Sequence, residues 1–212
     1  MSKTIKMKDI AYNFIKNKIM NNEFESGQYL EEKYLCDLIG VSRTPIREAI
    51  NQLAMENFVE VFPNKGIHVT LLDLNKTKEL FEARYYLEPL ILELAWENLN
   101  VDVLAEYEEK TINALNENNT HELNEIDYEL HNYINENCKN SFLINIANSL
   151  SDQFQRVRTL DFYNADRIVG GAKEHLELIK FVKENKKNKA LDYLRIHISN
   201  TRKYFFLSFI EN

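Results

Sequence analysis

Four side chains in the second half of the chain have the types and spacing to hold a metal ion. Asp127 and His131, in "IDYELH", are four residues apart, so on a helix they share one face and can chelate a single cation. His175 lies in "AKEHLELIKFV", in register with Ile179 and Val182. His197 lies in "LRIHISNTRKYF", in register with Leu194, Thr201 and Tyr204. Three imidazoles and one carboxylate suit a divalent transition metal such as Zn, Ni or Mn, with two positions of an octahedron left for water or ligand. Each histidine taken singly reads equally well as a hydrogen-bonded core residue. The set is more specific, because three of the five histidines fall on the inward stripes of three helices.

A second chemistry sits in "GVSRTPIREAINQL", residues 40–53. Ser42 is a good helix N-cap, and Pro45 is harmless in the first turn, where N–H groups have no helical partner. Arg43, Arg47 and Asn51 then project away from the apolar face made by Ile46, Ala49, Ile50 and Leu53. The guanidinium fork can meet O6 and N7 of guanine together, and Ser42 and Thr44 are short enough for phosphate oxygens or a thymine methyl. The bland alternative is a solvated basic face. Its surroundings argue against that, because they have the order of a helix-turn-helix reader with a wing.

The elements that must position these residues fall into two domains, 1–72 and 73–212. In the first, helices are expected over 7–19, 31–39 and from Ser42 onward, with a turn at "ESGQ" and Gly40 closing the second helix. Two β-rich runs, "FVEVF" and "GIHVTL", follow, joined by "PNKG" as a hairpin wing with Lys65 and Gly66 at its tip. In the second domain the period is helical throughout. Helices are expected over 73–98, 102–117, 121–138, 141–163, 166–185 and 187–209, with Asn at most breaks as caps or left-handed residues. The fold class is therefore mainly α: a winged helix-turn-helix followed by an antiparallel helical bundle.

Composition agrees with this division. Of 212 residues only five are Gly and three Pro, and 44% are hydrophobic. The net charge is −7, but residues 1–72 hold nine Lys and Arg against nine Asp and Glu, so the bundle's 17 against 24 carry it all. DNA binding would rest on a local patch, not on a bulk field. No apolar run is long enough to span a bilayer. The start "MSKTIKMKDI" lacks the pattern of a signal peptide. Cys36 and Cys138 lie far apart and read as reduced packing residues, and Cys138 is too far along its helix from His131 to share an ion. These features predict a cytoplasmic protein. His68 is expected to face solvent, His121 to decorate a helix start, and Trp96 and "RKYFFLSF" to serve core and dimer surface.

The run "GVSRTPIREAINQLAMENFVEVFPNKGIHV" resembles the winged helix-turn-helix of the GntR transcription regulators, and the resemblance covers residues 8–70. It implies that Arg43 and Arg47 contact bases, that Thr44 and the wing around Gly66 contact backbone or minor groove, and that Lys33 is a further basic contact. Asn57 stands where Gly is common, Ser26 where Pro is common, and Lys65 replaces a frequent Arg. Residues 73–212 are similar to the effector domain of the FadR-type subgroup, whose metal-binding members carry Asp-x-x-x-His and two further helical histidines. Asp127, His131, His175 and His197 occupy those four positions. By the same resemblance "FEARYYLEP" is the opening helix and Arg84 faces the cavity, where it could pair with an effector carboxylate. An intramolecular salt bridge is the alternative for Arg84.

These readings combine into a sequence-specific regulator of transcription, a repressor by default, that binds a pseudo-palindromic double-stranded DNA operator as a homodimer. A small organic acid bound at the divalent metal would control it. Two rivals stay open: a helical-bundle metalloenzyme, and a regulator whose metal is purely structural. Against the enzyme, no further carboxylate or histidine is placed by sequence to act as a general base beside the ligands.

Overall fold

A computed structural model of the chain describes residues 6–63, 65–158 and 165–211. It divides into two compact units, Met1–Leu74 and Asn75–Asn212.

In the first unit, α1 (Met7–Met20) buries Ala11, Ile15 and Ile19, one residue per turn. A two-residue strand, β1 (Tyr29–Leu30), precedes α2 (Glu32–Ile39). α2 ends at Gly40, whose φ of +76° is the left-handed cap that favours glycine. α3 (Arg43–Met55) buries Ile46, Ala49, Ile50 and Leu53, the apolar face expected from their spacing. Asn57 takes φ +60°, so the residue standing where Gly is common adopts the conformation that Gly would supply. The hairpin of β2 (Val59–Phe62) and β3 (Gly66–Val69) follows, and the antiparallel sheet has the order β1-β3-β2. β1 was not anticipated, because two residues carry no readable period. It pairs Tyr29 with His68 and Leu30 with Ile67, which fastens the wing to the body of the unit. Asn64, in the "PNKG" connection, lies outside the described residues.

Gly66 has φ +85°, and a Cβ there would stand 2.3 Å from Cε2 of Tyr29. Gly66→Ala therefore meets both backbone strain and a ring clash. It is expected to destabilise the protein by about 1–3 kcal/mol in denaturant unfolding. In a Tyr29→Ala background the clash disappears and a smaller penalty should remain; equal stability of Gly66→Ala and wild type would contradict this.

The second unit consists, in its described residues, of helices. These are α4 (Leu74–Ala95) with a 3-10 turn over Trp96–Asn98, α5 (Val101–Asn116), α6 (Thr120–Asn137), α7 (Ser141–Arg158), α8 (Ala165–Lys183) and α9 (Lys187–Glu211). The expected helix over 141–163 is described only to Arg158, and the break around Asn164 lies outside the described residues. Asn100 and Asn119 cap α5 and α6 by accepting the N–H groups of Asp102 and Glu122. Asn118 and Asn185 are left-handed at two breaks, but at "CKNS" it is Lys139 that takes φ +56°. Phe81 lies at the centre of the packing, with ring centroids 5.5 Å from Phe154 and 5.9 Å from Phe205. Trp96 is buried and donates to Asn185 Oδ1 at 3.1 Å, as a core residue should. Among the described residues no helix is long and apolar enough to cross a membrane.

Candidate functional site

The four residues singled out for metal binding converge. α6 supplies Asp127 and His131, α8 His175 and α9 His197, and one ligand atom from each lies within 4.8 Å of all the others. His131 Nε2 and His175 Nε2 are 3.2 Å apart. With metal–nitrogen bonds of about 2.0–2.1 Å, adjacent ligands of a tetrahedron or octahedron are separated by roughly 3 Å, so the spacing fits a shared divalent ion. The imidazoles are 2–7% exposed. Cys138 Sγ instead contacts the carbonyl of Asn140, in keeping with a packing role.

Two carboxylates that sequence reasoning missed hold the imidazoles in place. His131 Nδ1 lies 3.1 Å from Glu88 Oε2, and His197 Nδ1 lies 2.7 Å from Glu174 Oε2. The hydrogen bond to Glu174 favours the proton on His197 Nδ1 and leaves its Nε2 as a lone pair for a metal, whereas Glu88 Oε2 makes no hydrogen bond among the described residues and acts on His131 through its charge. Glu174 also accepts from Arg167 Nη1 at 3.1 Å and Asn200 Nδ2 at 2.7 Å, while Arg167 Nη2 reaches Thr201 Oγ1 at 2.9 Å. The sequence placed no carboxylate as a general base beside the ligands; the structure brings up two of another kind. Both groups sit behind the rings as supports, paired with arginines. Glu88 stands four residues after Arg84, the spacing of a helical ion pair, and Glu174 adjoins His175, but neither signal points to a place behind an imidazole.

Burial and charge set the protonation. Burial pushes His175 well below the usual imidazole value, with Asp127 opposing and the other imidazoles reinforcing. Burial also lowers His197, against the hydrogen bond it donates to Glu174. Burial alone would raise Asp127, but the Arg158 guanidinium and the imidazoles outweigh it and hold the carboxyl well below its usual range. Glu174 is likewise drawn down to about 2, its burial overcome by His197 and Arg167. Neutral imidazoles and ionised carboxylates are the forms that ligate metals.

This gives a pH dependence. Between the lowered folded values of His175 and His197 and the unfolded value of about 6.5, the unfolded chain binds more protons than the folded one. Stability of the metal-free protein is therefore full above that range and falls as the pH drops below about 6.5. Thermal unfolding in chelator should give a lower Tm at about pH 5.5 than at about pH 7.5; an unchanged Tm would contradict the neutral buried state.

Arg84 is buried and lines a cavity with Asp127, Tyr128, His131, Phe154 and Arg158. Its guanidinium pairs with Glu88 and stacks on Phe154, with Cζ 3.6 Å from the ring centroid. The salt-bridge alternative is thus present in the structure, yet Arg84 Nη1 is buried without a hydrogen-bond partner among the described residues. The cavity has a volume of about 10 Å³, room for one water, so an organic ligand needs these side chains to move. A larger cleft of about 480 Å³ between α4 and α9, lined by residues including Lys78, Tyr85, Tyr86 and Arg202, contains none of the imidazoles.

In the first unit, Ser42, Arg43, Thr44, Arg47 and Asn51 are exposed along the start and outer face of α3. Lys33 is exposed on α2, and Lys65 and Gly66 sit at the β2–β3 turn. Ser42 has extended backbone, φ −74° and ψ 172°, as an N-cap should, but its hydroxyl makes no capping bond. The first-turn N–H groups are left to solvent or to an external anion. Arg47 Nε donates to Glu32 Oε1 at 2.9 Å, a contact the sequence did not suggest. His68 is half-exposed on the outward face of β3, between the buried Ile67 and Val69, with its ring 5.4 Å from that of Tyr29 and 5.7 Å from that of Phe62, both exposed. His121 is exposed beside Glu125 at the start of α6, as expected.

Comparison with known proteins gives two family matches: the bacterial regulatory proteins of the gntR family over residues 8–69, and the FCD domain over residues 79–200. The HTH-type transcriptional regulator YdhC of Bacillus subtilis is 26% identical over 193 residues, which is 89% of this chain and 86% of the relative. The Nta operon transcriptional regulator of Aminobacter aminovorans is 26% identical over 177 residues, 82% and 83% of the two chains. Among solved structures, McbR/YncC of E. coli superposes with a TM-score of 0.81 at 19% identity, covering 97% of this chain and 100% of that one. The likeness in structure extends across the fold. The names of the relatives point to regulators of transcription and away from enzymes.

Proposed function

The chain belongs to the gntR family of bacterial regulatory proteins, DNA-binding regulators of transcription, and carries an FCD domain; on that premise we propose that a small organic acid, held at a divalent-metal centre in the helical unit, controls its binding to an operator. The observation that supports this most is the joining in one chain of an exposed arginine-bearing α3 to a bundle holding a buried three-histidine, one-aspartate cluster. Asp127, His131, His175 and His197 would hold the ion. When bound there, Zn, Ni or Mn would supply positive charge and open coordination positions for a carboxylate. Glu174 orients His197, and Glu88 acts on His131 through its charge. Arg84, with its buried Nη1, offers a charge-assisted hydrogen bond to the acid.

On the DNA side, Arg43 and Arg47 read base edges in the major groove. Ser42, Thr44, Asn51 and Lys33 add contacts around the helix start, and Lys65 and Gly66 bring the wing to the backbone. A homodimer would place two such helices on a pseudo-palindrome. Repression relieved by the acid is the default, and the acid can act only through different contacts in the two states. The test is selection by the full-length protein from a pool of random duplexes. Enrichment of a short pseudo-palindrome is expected; a pool that stays random at low salt would reject the reading.

A further inference from the structure

We propose that Phe62, at the tip of the β2–β3 wing, is an apolar wedge that enters a base step from the minor groove, so that the protein bends its operator and favours steps that unstack easily. This rests on the reading above that Lys65 and Gly66 bring the wing to DNA. Phe62 pairs with Gly66 across the hairpin, so what Gly66 approaches, Phe62 approaches too.

The tip has the wrong chemistry for holding phosphates alone. Val61 is 51% exposed and Phe62 42%, and Pro63 follows them, exposed, in the turn. Val61 stands opposite Ile67 and Phe62 opposite Gly66, so alternation puts apolar side chains on both faces of the strand end. Among the described residues of the tip, Lys65 alone carries a charge. β2 is an edge strand, a place where charged side chains usually guard against unwanted contacts. Three consecutive exposed apolar residues there call for a surface that covers them. A phosphate offers them nothing, whereas deoxyribose walls and base faces do. Phe is among the side chains that enter base steps from the minor groove and kink the duplex. Lys65 would neutralise a phosphate beside the wedge.

A wedge must also be stiff, and this one is braced. The Phe62 ring stands edge-on to His68, with centroids 5.7 Å apart and planes at 73°. The His68 ring nitrogens lie 3.4 Å from the carbonyl oxygen of Gly27 and 3.3 Å from that of Lys65, so the imidazole bridges the body of the unit and the turn. Beyond it, Tyr29 occupies the space that a Cβ on Gly66 would need. Packed in this way, Phe62 has little rotational freedom left to lose on insertion. The cost of unstacking depends on the step and is lowest at pyrimidine–purine steps such as TA and CA/TG. The wing would therefore select sequence at a position that no polar side chain reads.

The test is selection from random duplexes by full-length wild type and Phe62→Ala. The enriched duplex then carries 2-aminopurine at each pyrimidine–purine step in turn, and dyes at its ends for energy transfer. Wild type should enrich such a step at a fixed distance from the bases read by α3, raise the 2-aminopurine fluorescence there, and bend the duplex by roughly 20–90°. Phe62→Ala should lose all three effects and bind about tenfold more weakly. Phe62→Leu, still an apolar wedge, should keep part of each. Phe62→Lys should regain affinity at low salt through phosphate, yet neither unstack nor bend the duplex, and it carries the same test if the Ala variant does not fold. A step preference and bend retained in Phe62→Ala, or no fluorescence rise with wild type, would overturn the proposal. So would unchanged DNA behaviour with a lowered Tm, which would assign the apolar tip to packing within the protein. Failure of both proteins to enrich any duplex would reject the underlying DNA reading and this inference with it.

Discussion

Loading the helical unit with a divalent transition metal should stabilise the wild-type protein by about 3–4 kcal/mol when the free ion stands at roughly 100 to 1,000 times Kd. His175→Ala should abolish that gain. His175 contributes a ring that is 2% exposed and 3.2 Å from His131 Nε2, so its loss removes a ligand from the centre of the cluster, where no other described residue can replace it. The metal-free variant should lose less, because the space left by an imidazole next to charged groups can take up water. Glu174→Gln gives a graded version. It keeps the shape around His197 but removes the charge that sets its tautomer, and should weaken metal affinity by about 10–100-fold. Thermal unfolding of the three proteins with and without Zn2+, Ni2+ or Mn2+ checks both expectations. A metal shift of the same size in His175→Ala would mean that the ion binds elsewhere.

Arg43→Ala should weaken binding to the selected duplex by about 1–3 kcal/mol and relax preference at one base pair, with little change on unrelated DNA. Arg43 is exposed in the first turn of α3, ahead of the buried Ile46, Ala49, Ile50 and Leu53. The substitution therefore removes a contact without disturbing the core. Arg47 differs in one respect: its guanidinium is held by Glu32, with the two side chains 63% and 31% exposed. Exposed pairs of this kind contribute only about 0–1 kcal/mol, so base contact can displace Glu32. Arg47→Ala should consequently lose somewhat less than Arg43→Ala, and Glu32→Ala should tighten binding. Fluorescence anisotropy at one fixed salt concentration measures these differences. Undiminished affinity in Arg43→Ala would reject its assignment as a base contact.

How much of this was legible in the sequence depended on the range of the interaction. Asp127 and His131 are paired by helical periodicity alone, and the apolar face of α3 follows from the same rule. That His175 and His197 share their centre required three helices to pack, which no local spacing encodes; the inward stripe of each helix was the usable signal. Glu88, Glu174 and Arg158 were invisible because a buried acid or arginine looks like a surface one until its partner is known. β1 was too short for any period to show, and the Arg47–Glu32 pair joins residues on separate helices. The turns were legible where Asn or Gly carried them, as at Asn118 and Gly40, and illegible at Lys139, whose side chain does not advertise a left-handed backbone.

The central claim is that occupancy of the buried Asp127, His131, His175 and His197 cluster sets the affinity of α3 for DNA. Its most direct test is the Kd of the full-length protein for its selected duplex in three states: in chelator, with metal, and with metal plus the acid that binds best. The expected result is a change of about fivefold or more between the last two states. The same Kd in all three, with metal and acid shown to be bound, would contradict it.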